Sequence, residues 1–196
     1  MTPRTVRVLL IAAAFLAGLA SMLTVVLVVA WRADVPITRS AVGGPFQLVD
    51  QDGRAVTQDD LKGRPTLLFF GFTHCPDICP TTLFEVSEIL RQLGPDADKV
   101  RAAFVTVDPE RDTPAVLKDY LGSFDPHLMA LTGSREDVER MLKSYRVYSR
   151  KVPTDGGYTM DHTALVYLMD KRGQFVAPFN MKRTPQEAAT DLRRYI

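Results

Sequence analysis

Cysteine is almost absent from this 196-residue chain, which has only Cys75 and Cys79. Two cysteines exclude a disulfide-stapled scaffold and a four-cysteine zinc site. There is no GxxxxGK[ST] loop and no HExxH pair, so neither a phosphate-cradling loop nor a zincin helix is present. Acidic residues are missing from the first 32 positions, which carry Arg4, Arg7 and Arg32 and leave 21 basic against 23 acidic residues in the remainder. A body that is slightly acidic lacks the basic face needed to neutralise phosphates, which excludes nucleic acid as a partner. Disorder is excluded as well, because 46% of residues are hydrophobic and 24% charged.

What the chain does have is one long uncharged run, Val8 to Trp31, of 24 residues. At about 1.5 Å per residue a helix of that length crosses a hydrocarbon core of about 30 Å. Arg4 and Arg7 precede it, so residues 1–7 are expected in the cytoplasm, with Trp31 and Arg32 at the far interface. A cleaved signal peptide is the rival, with Val28 to Ala30 as a weak cleavage site, but its apolar region is ordinarily only ~7–15 residues. No cysteine near the end of the run offers a lipid attachment point. Seven residues before the run leave no room for an organellar targeting segment. The expectation is a bacterial inner-membrane protein with an uncleaved single span at residues 8–31 and a periplasmic body.

Residues 32–45, polar and interrupted by Pro36, Gly43, Gly44 and Pro45, read as a linker. Residues 46–196 are long enough for one substantial core. FQLVD, QDG and RAVT read as a hairpin turning at Asp52 and Gly53. Thr66 to Phe72 is a continuous apolar run, the pattern of a strand buried on both faces. Leu83, Val86, Leu90 and Leu93 then form one helical stripe. Val100 to Val107 predicts a second buried strand. Thr113 and Pro114 open a helix ending near Gly122, and Ser134 opens another with Val138, Met141, Leu142 and Tyr145 inward. Thr163 to Met169 predicts a third core strand and Gln174 to Phe179 a fourth, joined by a turn over Asp170 to Gly173. A capping box at Thr184 and Glu187 opens the last helix. This order predicts an α/β fold: a thioredoxin-like mixed sheet flanked by helices and preceded by one transmembrane helix.

Both cysteines fall between the first buried strand and its helix. Helix-terminal amides and the helix dipole stabilise thiolate there, the form that ligates metal or attacks a disulfide. Pro76 and Pro80 cannot both occupy a first helical position, so a turn over 76–78 and a helix from Pro80 are expected. One helical turn of about 6 Å lets both sulfurs face one side, and the separation suits a disulfide as well. A structural disulfide, buried thiols and a peroxidatic thiol are the competing readings. A thiol–disulfide oxidoreductase normally spaces its pair by two residues, whereas three intervene here.

A metal needs a third ligand, and the chain offers His74, His127 and His162. His74 adjoins Cys75, which turns its side chain away from a shared ion. His127 follows Asp125 and Pro126 in a loop and reads as a surface histidine. His162 stands at the start of the predicted third core strand, after the polar approach Thr154 to Gly157, and strand ends carry sites in open sheets. Two thiolates and an imidazole suit copper(I) and copper(II), or zinc with a water.

Three segments together resemble the Sco/SenC family: Gly71 to Pro80 (GFTHCPDICP), Val107 to Pro114 (VDPERDTP) and Asp161 to Leu168 (DHTALVYL). The resemblance covers about residues 46–196, and the membrane segment fits it too. It implies a membrane-tethered, thioredoxin-like copper protein that helps assemble the binuclear copper centre of cytochrome c oxidase. It carries ligation of one copper ion onto Cys75, Cys79 and His162, with the oxidase copper-centre subunit as partner and the upstream copper donor and thiol reductant unidentified. The same two thiols, able to cycle through a Cys75–Cys79 disulfide, also serve a reductase acting on the oxidase cysteines, or a redox or copper sensor. His162 separates these, since a pure reductase tolerates its loss. Asp108 to Pro114 reads as a loop and helix cap, or its acids Asp108, Glu110 and Asp112 as a lining of the site. Asp161 reads as a loop anchor or a weak contact to oxidised copper, Asp77 as a turn residue, and Met129 and Met160 as core packing rather than thioether ligands.

Overall fold

The computed structural model describes residues 2–32 and 41–196. Positions 33–40 of the expected linker lie outside the described residues. The N-terminal unit is one helix, α1 (Pro3–Arg32). Its Pro3–Val28 stretch, 26 residues, is long and apolar enough to cross a membrane.

The second unit is built on β1 (Gln47–Asp50), β2 (Ala55–Thr57), β3 (Thr66–Gly71), α2 (Ile78–Leu93), β4 (Arg101–Thr106), α3 (Pro114–Leu121), β5 (Leu128–Thr132), α4 (Arg135–Ser144), β6 (Ser149–Thr154), β7 (Gly157–His162), β8 (Val166–Met169), β9 (Phe175–Pro178) and α5 (Pro185–Leu192). Seven strands form one sheet in the order β2-β1-β5-β4-β3-β8-β9. β3, β4 and β5 are mutually parallel, and the flanking strands join antiparallel. Parallel neighbours need crossovers, and α2 and α3 supply them. Every residue of β3 is buried, as a run covered by helices on both faces requires. The β1–β2 hairpin turns where expected, with Gly53 at φ 80° and Asp50 Oδ1 accepting the amides of Asp52 and Arg54. The predicted caps are present: Thr113 accepts from the Val116 amide, Ser134 from the Asp137 amide, and Thr184 and Glu187 close a capping box. Gly43 N donates to Ser144 O, so the stretch just before the body is hydrogen-bonded to it.

Three details depart from the sequence expectations. α2 begins at Ile78 rather than Pro80. Proline is tolerated at the third helical position because amides of the first turn have no intrahelical acceptor. β5, between β1 and β4 in the sheet, was not anticipated from the sequence; its five residues are too short for periodicity to separate them from a loop. Thr154 to Gly157, expected as an approach to a core strand, is instead the turn of a separate ribbon in which β6 and β7 pair from Ser149–His162 to Thr154–Gly157. No residue of the ribbon is fully buried, so it leaves no apolar alternation in the sequence. His162 therefore closes β7, and the core strand β8 starts only at Val166.

Candidate metal centre

β3 ends at Gly71 and α2 starts at Ile78, with Cys75 in the connection and Cys79 in the first turn of the helix. The Cys75 amide donates to Phe72 O at 3.2 Å, closing the turn that lifts the thiol toward the helix mouth. The Cys79 amide, free of any intrahelical acceptor, donates to Cys75 Sγ at 3.4 Å. Both thiols are free and buried, Cys79 completely and Cys75 at 9% exposure. Burial pushes the Cys79 thiol well above the ordinary thiol range, so without a cation it holds its proton.

His162 arrives from the ribbon. Its Nδ1 lies 3.1 Å from Thr163 O, and a carbonyl can only accept, so Nδ1 carries the proton. Nε2 is left with its lone pair facing Cys79 Sγ at 3.6 Å. Burial lowers the His162 pKa below the ordinary imidazole value, against the opposing pull of the Thr163 carbonyl. A neutral imidazole with its second nitrogen hydrogen-bonded to a carbonyl is the state a metal requires. The Phe72 ring stands edge-on to the imidazole at 5.7 Å and 89°. The donor atoms of Cys75, Cys79 and His162 all lie within 4.8 Å of one another, the only such Cys/His/Asp/Glu group of three or more among the described residues.

The other candidates are elsewhere. His74 is exposed and contacts Thr73 Oγ1 at 3.0 Å. His127 is engaged by Asp125 at 2.6 Å and Asp98 at 3.3 Å. Asp77 is exposed at the α2 N-cap without a side-chain hydrogen bond. Met129 and Met160 pack against the core. Asp161 is exposed, 3.8 Å from Arg150. Asp108 is buried and accepts from Tyr158 and Arg111. Asp112, another acid of the 108–114 segment, is the one that meets the residues leading to Cys75. It is fully buried and accepts from Thr73 N at 3.1 Å, Thr73 Oγ1 at 2.6 Å and Thr106 Oγ1 at 2.6 Å. It thus ties the residues before Cys75 to β4. Desolvation raises its pKa, opposed by these hydrogen bonds. Its only advance signal was the repeated acid of the VDPERDTP segment.

The family model described as SCO1/SenC matches residues 35–196. The chain belongs to the SCO1/SenC family. Among its relatives, a SCO2-like protein of Rickettsia felis is 39% identical over 149 residues, 74% of this chain and 73% of that one. The copper-bound structure of Bradyrhizobium japonicum ScoI superposes with a TM-score of 0.78 at 67% identity, covering 79% of this chain and 99% of that one. The structure of BsSco, described as a member of the Sco family of cytochrome c oxidase assembly proteins with a disulfide switch, superposes with a TM-score of 0.62 at 28% identity, covering 82% and 95% of the two chains. This SCO1/SenC member has the thioredoxin-like mixed sheet flanked by helices that its sequence predicts.

Proposed function

We propose that this protein binds one copper ion through Cys75, Cys79 and His162 and delivers it to the copper-centre subunit of cytochrome c oxidase during assembly. The observation that carries this reading is the convergence of two sulfurs and one unprotonated imidazole nitrogen within 4.8 Å. Soft thiolates favour copper(I), and adding imidazole suits copper(II) too. Copper is cargo here, so the site has to release it as well as hold it. Three ligands drawn from one helix mouth and one separate ribbon support that use, because the imidazole can leave without unfolding the sheet.

Two thiols four residues apart on a thioredoxin-like fold support a redox gate on loading. Forming the Cys75–Cys79 bond removes two protons and two electrons from the thiols, which pass to an oxidant. A dithiol reductant returns them. The disulfide has no thiolate to offer a metal. A reductase acting on the oxidase cysteines would use the same exchange without needing His162. We further propose that residues 1–7 are cytoplasmic, 8–31 span a bacterial inner membrane, 32–45 form a linker, and 46–196 stand in the periplasm.

The test is copper retained by the reduced full-length protein in detergent, beside His162→Ala and each cysteine changed to serine. Wild type should retain about one ion, His162→Ala much less, and the serine variants none. Equal retention by wild type and His162→Ala would remove the imidazole from the ligand set.

A further inference from the structure

The ribbon that delivers His162 is not joined to the seven-stranded sheet: among the described residues, β6 and β7 pair only with each other. The ladder to β3 begins only at Val166, beyond the end of β7 at His162, so it does not by itself fix the position of the imidazole. Packing does so only partly, since a cavity of about 100 Å³ lies between the ribbon and the body, lined by Val107, Asp108, Val138, Leu142, Lys151 and Met160 among others.

Side chains bridge this gap, and Arg111 is at their centre. Arg111, from the loop after β4, donates Nη1 to Tyr158 O at 3.0 Å and Nε to Asp108. Its guanidinium lies 3.8 Å from the centroid of the Tyr158 ring and 5.9 Å from that of Phe72. Tyr158 returns the contact by donating its hydroxyl to Asp108 Oδ1 at 2.9 Å. Lys151, on β6, pairs with Glu110 and covers the same ring at 4.2 Å. In β7, residues two apart share a face, so Tyr158, Met160 and His162 point the same way. Fastening Tyr158 thus fixes the face that presents His162. Phe72, beneath the guanidinium, also meets the imidazole edge-on. Arg111 Nη2 is buried without a protein hydrogen-bond partner.

We infer that Arg111 is a positioning residue of the metal centre: by clamping Tyr158 to the 108–111 loop it holds His162 within reach of Cys79, and so sets how tightly copper is held. This inference rests on His162 being a ligand.

The experiment uses the reduced full-length protein in detergent with copper as the probe. Arg111→Met and Tyr158→Phe are made alone and combined with His162→Ala. Affinity is read by chelator competition, and nitrogen coupling in the electron paramagnetic resonance of the copper(II) form reports the imidazole. Arg111→Met should weaken binding about tenfold or more, the usual effect of losing a residue behind a ligand, and should diminish the nitrogen coupling. Tyr158→Phe, which loses one hydroxyl and keeps the ring, should shift both in the same direction by less. In the His162→Ala background neither change should move affinity by more than about twofold. Two results overturn the inference: unchanged affinity and coupling in Arg111→Met and Tyr158→Phe while His162→Ala is impaired, or equal losses with and without His162. Should Arg111→Met not fold, Tyr158→Phe decides by the same two comparisons. If His162→Ala alone bound copper like wild type, the ligand reading itself would fall, and the inference with it.

Discussion

A β-carbon placed on Gly71 would lie 2.8 Å from Cys79 Sγ and 2.7 Å from the Phe104 ring. The last residue of β3 thus leaves a slot that the sulfur of the first α2 turn fills. Only a residue without a side chain lets strand and thiol approach this closely.

Gly71→Ala is therefore expected to displace the sulfur while leaving the fold in place. Overpacking of this kind costs roughly 1–3 kcal/mol, measurable by urea unfolding. Copper affinity should fall in parallel, since Cys79 Sγ moves relative to His162. Full affinity in a folded Gly71→Ala protein would show that the sulfur position is not critical.

The two histidines His127 and His162 should titrate on opposite sides of the ordinary imidazole value. Asp125 and then Asp98 raise His127, while burial lowers His162. The signs for stability are opposite as well. The contribution of His127 is complete below its unfolded pKa of about 6.5 and is lost as pH rises through the higher folded value. That of His162 is present above about 6.5 and is lost as pH falls through the lower folded value. Ring-proton resonances of the metal-free reduced protein followed from pH 4 to 9 would check the order, and a His162 midpoint above that of His127 would contradict it.

Asp112 lends itself to a paired substitution. Its oxygens accept three hydrogen bonds, two of them from threonine hydroxyls that can turn and accept instead. Asp112→Asn keeps a carbonyl for the Thr73 amide and should cost no more than about 1 kcal/mol. Asp112→Ala strands buried donors and should cost about 3 kcal/mol or more. The raised pKa of Asp112 means that its contribution is complete below the unfolded value of about 3.9 and declines as pH rises through the folded one. Asp112→Asn should lack that decline, and unfolding midpoints across pH 4 to 8 give the comparison.

Oxidation should abolish copper uptake. Reduced metal-free protein is expected to take up copper, the Cys75–Cys79 disulfide form to fail, and a dithiol to restore uptake. A change of ~30 mV in the potential of the pair alters the balance by about 1.4 kcal/mol. Copper retained after desalting, with thiols counted in parallel, is the measurement, and equal retention by the disulfide form would exclude the two sulfurs as the main ligands.

Much of this molecule was legible in its sequence, because the signals involved are local. The uncharged run from Val8 to Trp31 needs only its length, and the buried β3 only an unbroken apolar run. The caps at Thr113, Ser134 and Thr184 need only neighbours three or four residues away. Cys75 and Cys79, one turn apart at a strand–helix junction, belong to the same class. His162 was legible as a candidate donor, yet its position in the fold was not, because the ribbon that ends on it is mostly solvated and carries no periodic apolar signal. What only the tertiary structure decided is how residues far apart in the chain come together: Cys79 with His162 across 83 positions, Thr73 with Asp112 across 39, Arg111 with Tyr158 across 47. Such contacts depend on sheet order and on burial, and burial is what keeps the His162 imidazole neutral and the Cys79 thiol protonated until a cation replaces the proton.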